Sequence, residues 1–358
     1  MSAEVMCDEF RCAPAAAGGL SVKRLLRFAV SGAILFGLAW RMDWGQVAEA
    51  FRGLRWDLWL AALGMHLVAQ VTSAWRWQVL ARPLGFGGPL RRYVGLYFVG
   101  MFFNLLLPTS VGGDAVRAVY LNAGPGRRVA AFLSVLLDRL SGLLVLLARA
   151  CVAALACPVP LPLWVRLAVG GAAGAAAVGL ALVPVSTRLL ARLDVAGGGR
   201  WHRLLETVRH LAASLREALA VYRRHPRLLA GSTALSVLVQ AAGVMTVALL
   251  GRAVGVPAPL AVYGVAVPMV ALLTLLPVSV NGMGVREAGM ILFLGPAGVS
   301  AATAVTVAFL WFCVQTAAGL AGAGVYLFGQ FPRPEVRHDG AVGDHPGPGR
   351  AGQPRAAA

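Results

Sequence analysis

The chain has 358 residues, of which 58% are hydrophobic and only 13% charged, and its mean hydropathy is +0.73. It therefore carries about half the charge of a soluble domain, and its net charge of +17 rests almost wholly on arginine. Apolar runs interrupt the basic segments, none of which is long and polar enough for a nucleic-acid-binding domain, so composition excludes a soluble enzyme and points to an integral membrane protein.

Residues 1–20 are mixed and weakly polar and are expected to be disordered. The first apolar run, 25–40, has Lys23, Arg24 and Arg27 at or near its start, the pattern of an uncleaved span with its N-terminus inside. Further runs follow at 58–80, 93–107, 129–156, 161–183, 228–250, 259–276, 285–295 and 300–328. A span needs about 20 apolar residues, so 93–107, 259–276 and 285–295 are short. They abut two breaks, one holding Pro108, Gly112 and Gly113, the other Pro277, Asn281, Gly282 and Gly284. Between 184 and 227 arginines alternate with apolar residues at helical spacing, which fits either an amphipathic helix on the membrane surface or a solvated connector. The tail, 332–358, is rich in Pro, Gly, Arg and Ala and reads as disordered and basic.

The two breaks are copies of one motif. Leu107–Arg117 lies over Leu276–Arg286 at an offset of 169, with seven of eleven positions identical. The same offset lays 58–80 on 227–249 and 129–156 on 298–325. The chain reads as a duplication, with repeat 1 over 21–156 and repeat 2 over 161–328. With the basic loops inside, counting crossings leaves no net crossing for 93–126 or for 259–295. The expected fold is an all-α membrane protein with about six full spans and two re-entrant hairpins. Each repeat holds an odd number of spans, so the second copy is inverted. Both termini are expected in the cytoplasm of a bacterial-type inner membrane. Inverted repeats with broken helices are a transporter pattern.

A helix begins after each break, with Asp114 and Asn281 as candidate N-caps. Each carries an arginine early, Arg117 and Arg286. A guanidinium beside a positive helix pole is unfavourable unless an anion lies between them, and phosphate suits both. The alternative is bracing by ion pairs, Arg117 with Asp114 and Arg286 with Glu287. Asp138 and Arg139 lie inside a span, either lining a polar cavity or neutralising one another. Arg76, between Trp75 and Trp77, reads as an aromatic-belt anchor with a snorkelling side chain. His66 reads as a hydrogen-bonded packing residue. The five cysteines have no metal-ligand spacing, and no catalytic or cofactor signature is present; no metal or cofactor is expected.

Trp75-Arg76-Trp77, the stretch Leu107–Arg117, Leu137-Asp138-Arg139-Leu140 and Pro277–Glu287 together resemble the lysylphosphatidylglycerol synthetase transmembrane-domain family, also called the flippase-like domain family. The resemblance covers roughly 25–330, and Gly282-x-Gly284-Val-Arg286-Glu287 is its most distinctive element. It implies a non-catalytic flippase-like protein whose substrate is a membrane lipid, anionic or isoprenoid-linked. No aminoacyltransferase domain is visible in the chain. The alternative is a membrane subunit or scaffold for a separate glycosyl or aminoacyl transferase.

Overall fold

The computed structural model describes residues 51–106, 112–121, 127–156, 225–256, 258–275 and 282–329, with isolated positions at 45 and between 163 and 222. Among them there is no strand. The first span, most of the 184–227 segment, both terminal segments, and the breaks at Pro108, Pro277 and Asn281 fall outside the described residues, as does much of run 161–183.

Among the described residues eight α-helices are bounded: α1 (Trp56–Ala81), α2 (Leu90–Leu106), α3 (Gly112–Leu121), α4 (Arg128–Ala156), α5 (Pro226–Ala253), α6 (Leu260–Leu275), α7 (Val285–Leu294) and α8 (Ala301–Phe328). Four of them, α1, α4, α5 and α8, are long and apolar enough to cross a membrane. Shifted by 169 residues, α1–α4 fall on α5–α8 in order. Packing follows the same correspondence: α2 lies on α3 as α6 lies on α7, α3 on α4 as α7 on α8, and α1 on α2 as α5 on α6.

The two halves meet chiefly through α1 and α5. On α1 the buried residues Ala62, His66, Ala69, Ser73, Arg76 and Leu80 recur at alternating spacings of four and three, one stripe of a helix face. The pair is antiparallel. At one end Arg55 N–H donates to the carbonyl of Ala253 at 2.9 Å. At the other, Arg76 reaches Ser236 and the Tyr222 hydroxyl donates to the carbonyl of Leu80. Repeat-related helices running in opposite directions are what an inverted duplication requires.

The short helices pair into hairpins. Arg92, near the start of α2, donates to the carbonyl of Leu121 at the end of α3, while Asn104 near the end of α2 accepts from Gly113 at the start of α3. In the second repeat Gly282 lies against Thr274 and Gly289 against Val270. At 1.5 Å per residue α3 and α7 are about 15 Å long, half the roughly 30 Å hydrocarbon thickness.

Candidate functional site

Close backbone approach positions the first arginine. A Cβ on Gly113 would lie 1.9 Å from the carbonyl oxygen of Gly100, so only glycine lets α3 settle on α2 there. One turn on, Arg117 crosses Gly100, where a Cβ would meet its Cγ at 2.7 Å. The guanidinium then sits between two rings, 5.0 Å from the Trp77 centroid and 4.5 Å from that of Tyr97, within cation–π range of both. Trp77 is fixed in turn by its indole N–H donating to Ser134 at 3.2 Å.

Around Arg117 the charges interlock. Its Nη2 donates to Asp114 Oδ1 at 2.6 Å, and its Nη1 lies 3.6 Å from Asp138 Oδ2. Asp138 accepts from Arg76 Nε at 2.8 Å, and Arg76 Nη1 donates to Ser236 on α5 at 3.1 Å. Asp114 also accepts from Arg139, at 2.6 Å from Nε and 3.0 Å from Nη2. Three guanidiniums therefore face two carboxylates, an excess of one positive charge. Only Arg139 is open, with half its side chain exposed, whereas Arg117 and Asp138 are 3% and 1% exposed. Nη1 of Arg117 and Oδ2 of Asp138 are buried with no hydrogen bond. Removing a carboxylate from such a buried set strands a guanidinium, which costs several kcal/mol.

The second arginine has a different setting. Arg286 lies in the first turn of α7, where it donates to Glu287 Oε1 from Nη2 at 2.9 Å and from Nε at 3.2 Å. Its Nη1 reaches Gln315 Oε1 at 3.3 Å, and the guanidinium stacks over Phe312 at 5.1 Å. Glu287 Oε2 accepts the N–H of Gly284 at 2.6 Å, so the carboxylate caps the helix pole. Gly284 has φ +83, a conformation that suits glycine. This cluster is neutral. The arginine recurs at the repeat offset, but its partners do not: Asp138 and Trp77 fall on Val307 and Thr246.

Several expectations need correction. Arg76 is not a snorkelling anchor: it is buried and ion-paired across 62 residues of sequence, while its neighbour Trp75 stays half-exposed. Asp138 and Arg139 do not neutralise each other; successive helical side chains point about 100° apart, and each finds a different partner. Asp114 is not an N-cap, because α3 starts at Gly112 and the aspartate stands inside the first turn. Both bracing pairs, Arg117–Asp114 and Arg286–Glu287, are present. His66 contacts Gln70 one turn along α1, as a packing residue would. The sequence reading missed Tyr97, Asn104, Ser236, Phe312 and Gln315. Arg76 itself was within reach, since it continues the four–three stripe of α1.

The family described as the lysylphosphatidylglycerol synthase TM region matches residues 24–322. The chain belongs to that family. Comparison with curated proteins gives no significant match. Membership places the chain among membrane proteins associated with lipid modification or translocation, consistent with its long apolar helices. Four members of the Arg117 cluster, Arg76, Asp114, Asp138 and Arg139, lie with it inside the matched region.

Proposed function

We propose that this protein moves or presents an anionic or isoprenoid-linked lipid between the leaflets of a bacterial-type inner membrane, and that the Arg117 cluster receives the lipid phosphate. The observation that carries this reading is the buried Nη1 of Arg117, a charged donor with no hydrogen bond in a cluster with one positive charge in excess. A phosphodiester supplies one negative charge and an oxygen acceptor for that donor, and guanidinium is the group that grips it best. The α2–α3 and α6–α7 hairpins enter the bilayer without crossing it, and both termini lie in the cytoplasm with the 184–227 segment.

Arg286 supports a second role. Glu287 and Gln315 already engage three of its nitrogens, which favours bracing of the α7 hairpin over phosphate capture. A reading without transport, as the membrane scaffold of a separate lipid-modifying transferase, uses the same anion site to present lipid rather than to move it.

Reconstitution separates these. Proteoliposomes with a fluorescent phosphatidylglycerol should lose inner-leaflet protection from an impermeant quencher when wild-type protein is present, and phosphatidylcholine should not. Absence of flipping combined with lipid binding that depends on Arg117 would favour the scaffold. Normal flipping by a folded Arg117→Ala, Arg286→Ala double variant would remove the phosphate site altogether.

A further inference from the structure

A groove of about 410 Å³ opens between α4, α5 and α6, within the range of small-ligand sites. Among the described residues its lining is apolar, with Val237, Ala241 and Met245 from α5 and Leu260 and Gly264 from α6, except for one charged side chain, Arg149 of α4. Arg149 is half-buried, and among the described residues no hydrogen bond or ion pair reaches it. The nearest acidic residue after it in the chain is Asp194. It stands ten residues beyond Arg139, about 15 Å along the helix, and so apart from the Arg117 cluster. Ala156, where α4 ends, is seven residues further, about 10 Å along the helix.

The repeat makes this groove conspicuous. The related contact in the other half, α8 on α2, is closed. A Cβ on Gly319 would lie 2.4 Å from Leu105 Cδ1, and one on Gly322 would lie 2.1 Å from the carbonyl oxygen of Phe98. At the corresponding positions α4 carries Ala150 and Ala153, and the position of Ala318 is taken by Arg149. One interface brings glycine onto its neighbour; its counterpart carries alanine at those positions and a cation beside them.

We infer that this groove is a binding site for an anionic diacyl phospholipid, with one acyl chain along Val237, Ala241 and Met245 of α5 and the phosphate on the Arg149 guanidinium. Charge complementarity selects the occupant. An unpaired guanidinium beside an apolar wall calls for an anion, and the apolar lining calls for a chain attached to it, so a water-soluble phosphate satisfies only half the site. A snorkelling arginine would instead leave the groove empty and indifferent to headgroup charge. The site is an equilibrium binding site and does not depend on whether the protein transports lipid.

Full-length protein in nanodiscs holding phosphatidylglycerol or phosphatidylcholine, each with a diazirine on one acyl chain, is irradiated and the cross-linked peptides mapped. Phosphatidylglycerol should label the peptide holding residues 237–245 about tenfold more than phosphatidylcholine does, and Arg149→Gln should erase that preference, the loss expected of one charge-assisted contact. Ala241→Trp, which keeps the arginine but fills the groove, should lower labelling to the same extent. Equal labelling by the two lipids, or unchanged labelling in a folded Arg149→Gln variant, overturns the inference. If that variant does not fold, unchanged labelling in Ala241→Trp overturns it. Failure of the flipping assay leaves this readout untouched.

Discussion

Nη1 of Arg117 stops 3.6 Å from Oδ2 of Asp138, and neither atom has a hydrogen bond although both are buried. The other ends of both groups are firmly held, Arg117 by Asp114 and Asp138 by Arg76. The cluster is thus complete except at one donor and one acceptor that face each other beyond hydrogen-bond range.

Arg117→Lys keeps the charge and loses the planar fork. Flipping of fluorescent phosphatidylglycerol should fall about tenfold, and Arg117→Ala should lower it further. Both aspartates keep an arginine partner in these variants, Asp114 through Arg139 and Asp138 through Arg76, so melting temperature should change little.

Asp138→Ala has the opposite profile. It strips Arg76 of its only carboxylate and leaves Arg117 with Asp114 alone. Removal of one partner from a buried pair costs about 3–5 kcal/mol, which thermal unfolding in detergent should register as a large loss. Arg76→Met combined with Asp138→Leu should recover part of it.

For Arg286 and Glu287 a double-mutant cycle decides between bracing and phosphate capture. Each single alanine variant should lower the melting temperature, and the double variant should cost less than their sum by roughly 0.5–3 kcal/mol. An additive result would show that the 2.9 Å contact does not brace the hairpin.

Close approach is testable by adding one carbon. Gly113→Ala and Gly322→Ala each push a Cβ to within 2.1 Å of a backbone carbonyl oxygen, and both should reduce yield and thermal stability. Gly243→Ala on α5 meets nothing within 4 Å and should be neutral or stabilising, since alanine favours helix over glycine.

The contacts also fix which residues share one end of the helix bundle. Arg127 donates to the carbonyl of Gly85, and Gln78 to that of Gly88, so the ends of α1 and the starts of α2 and α4 lie together. Arg252 lies at the opposite end of the α1–α5 pair. With the native cysteines replaced, Arg91→Cys should react with an impermeant maleimide only in opened cells, and Arg252→Cys in intact ones. Labelling of both from one side would contradict the antiparallel pair.

Helix limits were legible because hydrophobic length carries them: runs 93–107, 259–276 and 285–295 became Leu90–Leu106, Leu260–Leu275 and Val285–Leu294. The repeat was legible because a proline and an arginine recur at one offset. Long-range partners were not. Asp138 and Arg139 are adjacent in sequence, which suggested mutual neutralisation, yet their directions on α4 lead to Arg76 and Asp114 respectively. Nothing local in the sequence could indicate that Ser236 of α5 would meet Arg76 of α1, since that contact follows from the antiparallel docking of the two halves.

That docking bears on the two ends of the molecule. With α1 and α5 opposed, perfectly matched halves would make them equivalent. These halves are not identical: one surrounds its arginine with two aspartates and two rings, the other with a glutamate, an amide and one ring. The halves are therefore chemically unlike, one holding an excess of one positive charge among the described residues and the other a neutral pair, so an anion meets a different setting in each.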